Sequence, residues 1–143
     1  MEKIQVKKLM ETNIQLINSN ATLEEASKKM KEYSCGFLPA GVNHIPEGII
    51  TDRDIVIRAL AEGKDPKNEK VCDYMTSDIY SCQETDTLED AAIVMGANNI
   101  SRLVVKDATD TICGILTFGR IIRKHDNKQE ISDVVEKATG KMI

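Results

Sequence analysis

No stretch of the chain approaches the roughly 18 consecutive apolar residues that a membrane-spanning helix requires. Positive charge is not in excess either: 19 Lys and Arg stand against 23 Asp and Glu, for a net charge of −4. A nucleic-acid surface needs clustered Lys and Arg to meet phosphates, so no nucleic-acid partner is expected. Histidine is scarce, and none of the four cysteines (Cys35, Cys72, Cys82, Cys113) forms a C-x-x-C pair. That removes the usual basis for a structural zinc site. The charged residues from Met1 to Met10 contain no apolar run of the signal-peptide kind, so the expectation is a cytoplasmic protein with free thiols. The G-x-S-x-G, H-E-x-x-H and Walker A patterns are absent. His44, beside Pro46, and His125, near the end of a helix, show no acid or nucleophile in a pattern that suggests catalysis, so no enzyme is expected.

What is present suits a folded protein. Leu, Ile, Val and Phe total 36 of 143 residues, which excludes the disordered class. Ile (17) outnumbers Leu (8), which favours some sheet over an all-helical bundle. A chain of this length buries about two thirds of its unfolded surface, enough for a real core.

The chain also repeats itself. Shifted by 65 residues, Met10 meets Met75, Ile14 meets Ile79, and Thr22-Leu23-Glu24 meets Thr87-Leu88-Glu89. Ala26 meets Ala91, Met30 meets Met95 and Leu38 meets Leu103, giving 8 identities over the 32 positions from Leu9 to Ala40. After one inserted residue, Gly48-Ile49-Ile50-Thr51 meets Gly114-Ile115-Leu116-Thr117. Two such repeats are too few for a solenoid, so a pseudo-symmetric pair is expected. Each repeat reads β-α-β-β-α, an α+β arrangement. The first short apolar stretch is Ile14 to Ile17 in one repeat and Ile79 to Cys82 in the other. The first helices open at capping boxes, Thr22-x-x-Glu25 and Thr87-x-x-Asp90, and carry Leu23, Ala26, Met30 and Leu88, Ala91, Met95 at core spacing. Strand-like runs follow at Phe37 to Ala40 and Gly48 to Ile50, and at Arg102 to Lys106 and Ile112 to Leu116. Second helices start at Thr51 and Thr117. Residues 63–69 (GKDPKNE) read as a linker, and residues 129–138 (QEISDVVEKA) as an amphipathic helix. The expected divisions are 4–64, 70–126 and a helical tail, 127–143.

The most informative string is Gly48-Ile49-Ile50-Thr51-Asp52-Arg53-Asp54-Ile55. Thr51 and Asp54 are spaced as N-cap and capping-box partner. The same geometry suits a ligand: a carboxylate on the first turn can accept from a ribose diol, and Arg53 can face a phosphate. Both readings are open from the string alone.

Two β-α-β-β-α units, each with G-h-h-T before its second helix, resemble the cystathionine-β-synthase (CBS) domain pair, or Bateman module, over about residues 4–126. The string from Thr51 to Pro66 is similar to that of small stand-alone bacterial members. The resemblance implies a cleft between the repeats that holds an adenosine ligand: AMP, ADP, ATP or S-adenosylmethionine. It implies Asp54 at the ribose, Thr51 beside the phosphate and Ile49 against the base. Gly36 and Phe37 would line the same cleft. From the second repeat, the turn Ser77 to Tyr80 and the pair Ile100-Ser101 would cover the adenine. At the second site Thr117 is present, but Arg120 stands where the acid should be, and arginine accepts no hydrogen bond. Arg102 and Arg120 could hold an anion there or simply be solvated. One nucleotide per chain is therefore expected. The resemblance further implies a homodimer joined through helix faces and an unidentified protein partner. The function expected is a non-enzymatic sensor with no catalytic cofactor and no metal. A ligand-free interaction module and a redox-responsive dimer are the alternatives. For the latter, Cys35 and Cys113 read as buried small hydrophobes, and Cys72 and Cys82 as candidates for exposure.

Overall fold

A computed structural model describes residues 3–43, 45–125 and 127–139. His44 lies outside these described residues, as does the end of the expected tail. The chain forms two compact units. One is continuous, residues 15–79; the other combines residues 80–143 with residues 1–14.

In the continuous unit, β1 (Ile17–Asn18) pairs parallel with β2 (Phe37–Val42), and β2 pairs antiparallel with β3 (Ile45–Thr51). Helix α1 (Leu23–Tyr33) lies between β1 and β2. Thr22 caps it by accepting from the Glu25 backbone N–H at 3.1 Å. Ser34, in the left-handed conformation (φ 51°), ends it. Leu23, Ala26 and Met30 face inward, as their spacing predicts, against Leu38, Ala40 and Ile50 of the sheet. Both central strands run longer than the sequence indicates: Gly41 and Pro46 themselves pair. Thr51 then caps α2 (Asp52–Asp54). The coil widens into a π-helical segment over Ile55–Ala59 and tightens into a 3₁₀ turn over Leu60–Glu62. Gly63, at φ 75°, stops it in a conformation that suits glycine.

The other unit repeats the plan. Strand β4 (Ser81–Gln83) is parallel to β5 (Arg102–Lys106), which is antiparallel to β6 (Ile112–Thr117). Helix α3 (Leu88–Asn98) has the full capping box between Thr87 and Asp90 and ends at Asn99, the counterpart of Ser34. Helix α4 (Phe118–Lys124) follows Thr117, and α5 (Lys128–Thr139) packs back on α3. They come close together at Gly96, where a Cβ would lie 2.0 Å from the Lys137 carbonyl oxygen. The first strands are shorter than expected and lie later in the chain, because only two residues in β1 and three in β4 find a partner.

Packing partitions the chain differently from sequence similarity. Val6 is buried among Leu88, Met95, Leu103 and Leu116 of the second repeat. Its amide donates to Asp86, and Glu11 forms a bridge with Ile115. Val71, the counterpart of Val6, is buried among first-repeat residues and donates to Ala21, while Thr76 bridges Ile49. Each unit thus takes its entering segment from the region ahead of the other repeat's first strand. Among the described residues no helix is long and apolar enough to cross a membrane.

Candidate functional site

The junction between β3 and α2 gathers most of the expected residues of the first repeat. The Thr51 hydroxyl accepts from the Asp54 amide at 3.0 Å, and Asp54 Oδ2 accepts from the Thr51 amide at 3.1 Å. This reciprocal pair fixes the carboxyl group of Asp54 at the first turn. Oδ1 has no hydrogen-bond partner among the described residues. Phe37 pairs with Thr51 across the two strands. The Gly36 carbonyl accepts from the Asp52 amide at 2.9 Å. The Asp52 carboxylate folds over Gly36, where a Cβ would meet Oδ2 at 3.0 Å. Ile49 exchanges two backbone hydrogen bonds with Thr76, at 2.9 and 2.8 Å, which brings exposed Ser77 to the same strand edge. Arg53 is exposed, and its guanidinium makes no ion pair among the described residues. Tyr80, Ile100 and Ser101 belong to the other unit. Tyr80 and Ser101 are exposed there, and Ile100 is half-buried.

The second unit preserves the frame and changes the chemistry. The Ser101 carbonyl accepts from the Phe118 amide at 2.9 Å, just as Gly36 accepts from Asp52. Thr117 accepts from the Arg120 amide at 3.1 Å. Arg102 is exposed at the start of β5, opposite Thr117. Arg120 is half-buried and reaches toward the entering segment of its unit. Its Nε donates to the Leu9 carbonyl at 2.5 Å, and its Nη1 lies 3.3 Å from Glu11 Oε2. A phosphate would have to compete with that carboxylate. These contacts span more than a hundred residues, and no local motif signals them. No local motif signals the contact of Arg58 either, which donates to the Tyr74 carbonyl 16 residues further along in the first unit.

Two sequence expectations need correction. Cys82 is buried, with 5% of its surface exposed, because its side chain takes the inward position on β4. Burial pushes its thiol up to about 12. Cys35 and Cys113 are half-buried and are also raised, chiefly by burial; Cys72 is the exposed thiol. Thiolate is the reactive form, so raised thiols do not favour redox chemistry. His125 does have an acid beside it: its Nε2 is 2.9 Å from Glu130 Oε2, and both side chains are largely buried. The other Glu130 oxygen is buried without a partner among the described residues. The pair ties the end of α4 to the first turn of α5.

Known proteins share this plan. The chain is 32% identical to the CBS domain-containing protein YhcV of Bacillus subtilis over 114 residues, 80% of each chain. The solved CBS domain pair of protein MJ0100, in complex with 5'-methylthioadenosine and S-adenosyl-L-methionine, superposes with a TM-score of 0.76 at 28% identity. It covers 85% of this chain and 95% of that one. CBSX2 in complex with AMP gives a TM-score of 0.69 at 26% identity, covering 83% and 93%. The CBS domain model matches twice, at residues 6–60 and 71–126, each match ending in or just after the helix that follows a Thr cap. With both repeats matched in order and across most of its length, the chain belongs to the CBS domain family.

Proposed function

We propose that this chain is a non-enzymatic regulatory module that binds an adenosine-containing ligand at the start of α2 and passes the change to a protein partner. The observation that carries this reading is the Asp54 carboxylate. One oxygen is held by the Thr51 amide, so the other is presented at a fixed place. Two acceptor lone pairs on a fixed oxygen suit the vicinal hydroxyls of a ribose, and fixing the group in advance lowers the cost of ordering it on binding. Ile49, Gly36 and Phe37 supply the adjoining apolar and close-packed surface, and unpaired Arg53 is available to a phosphate or carboxylate. Ligands of this class sit in the MJ0100 and CBSX2 domain pairs, which supports the same class here. A ligand acts on a partner only through its differential affinity for two arrangements of the protein. Val56, Ile57 and Leu60, about half exposed on the helical segment after Asp54, form the apolar surface on which a second copy would dock in a homodimer.

Thermal unfolding tests the reading, with AMP, ADP, ATP and S-adenosylmethionine each at millimolar concentration. A ligand at 100 times its dissociation constant adds about 2.7 kcal/mol, a rise of several degrees in the midpoint. The expected result is a rise with at least one of the four that Asp54→Ala abolishes. No rise with any of them removes the sensor reading and leaves a ligand-free interaction module.

A further inference from the structure

The Leu9 and Tyr74 carbonyls stand 65 residues apart, the offset of the repeat itself. Each receives an arginine from the helix that follows the last strand of its unit. At Leu9 the donor is Arg120 Nε, at 2.5 Å. At Tyr74 it is Arg58 Nη1, with the guanidinium also 6.0 Å from the centre of the Tyr74 ring. The backbone frames match, since Glu11 bridges Ile115 and Thr76 bridges Ile49 at corresponding positions. The arginines do not match. Counting from the two capping threonines, Arg120 is the counterpart of Asp54, and Arg58 is the counterpart of Lys124. The same carbonyl is therefore reached from the first turn of the helix in one unit and from the next turn in the other. Between Asp54 and the end of that second turn the first-unit helix is π-helical, a local widening found often at functional sites and absent from α4.

A charged donor on a backbone carbonyl is a strong anchor for the extended segment that carries it. Among the described residues, the entering segment of each unit carries such an anchor. We propose that Arg58 is a positioning residue of the candidate site: by anchoring Tyr74 from one turn further along, it frees position 54 for a carboxylate that faces the ligand. Arg120 has the converse role, occupying the corresponding position of the second unit with the anchor itself. The proposal rests on Asp54 as a ligand-facing group, but the exchange of anchors is testable without any ligand.

The test is thermal unfolding of the unliganded full chain. Arg58→Met lowers the midpoint by about 3 °C. Adding Asp54→Arg to that variant places an arginine where Arg120 stands in the other unit and restores most of the loss. Adding Asp54→Met instead restores nothing. An unchanged midpoint in Arg58→Met, or a double variant with arginine at 54 no more stable than the single one, overturns the proposal. Binding of AMP and S-adenosylmethionine is followed on the same proteins. A wild-type chain that binds neither removes the ligand-facing role of Asp54, whereas the midpoint series alone decides whether the two anchors are interchangeable.

Discussion

Asp107 organises the hairpin between β5 and β6. Its Oδ1 accepts from the Thr109 amide at 2.8 Å, the Thr109 hydroxyl at 2.6 Å and the Thr111 amide at 3.2 Å. These donors favour the ionised form and hold its carboxyl below the usual carboxylate range, the Thr109 hydroxyl being the largest influence. A group whose folded pKa is depressed contributes stability above its unfolded pKa and loses it as pH falls through the folded value. Asp107→Asn should therefore be less stable than wild type at neutral pH, with the gap closing as the pH drops below the carboxylate range. Denaturant unfolding from pH 7 to pH 3 measures this, and a gap that stays constant would show that the charge of Asp107 contributes nothing. At this scale local chemistry was readable in the sequence. The threonine caps and the Thr51/Asp54 pair came from spacing alone, because their partners lie three residues away. The fates of Arg58, Arg120 and His125 did not, because their partners are set by the folded topology.

Helices α1 and α3 show what an element reveals and what it hides. Both begin where their threonine caps put them. Their outer faces differ: α1 carries Lys28, Lys31 and Glu32, whereas α3 carries Ala92, Val94, Gly96 and Ala97 at and around the corresponding places. A helix apolar on two faces needs two partners, and α3 has them in its sheet and in α5. Gly96 allows the close approach of α5. Alanine in a helix interior normally stabilises by up to about 1 kcal/mol relative to glycine. Here its Cβ would stand 2.0 Å from the Lys137 carbonyl, a backbone atom that cannot swing aside. Overpacking of that kind costs about 1–3 kcal/mol, so Gly96→Ala should lower the unfolding midpoint. A midpoint that rises would mean that α5 yields without cost. The tail was readable as a helix from its amphipathic pattern, but its docking site was not, because glycine in a helical run leaves no signature of what lies against it.

For the whole molecule, the repeat was legible and the partition into units was not. A 65-residue offset aligns Val6 with Val71 without saying which core either enters. The packing says that residues 15–79 hold a complete core that includes Val71, with Tyr74 and Met75 against it. Residues 4–64 lack all three and also the bridge between Thr76 and Ile49. A peptide of residues 15–79 should therefore show more helical circular dichroism and a steeper thermal transition than one of residues 4–64. Equal behaviour of the two would mean that the crossing segments add little. The same arrangement has a consequence for synthesis on the ribosome. Residues 3–14 are made before the continuous unit, yet the surfaces that bury Val6 and pair with Glu11 are made after it. The middle of the chain can close while the opening segment is still unmatched. Translation thus sets an order of assembly in which residues 3–14 wait for the second repeat.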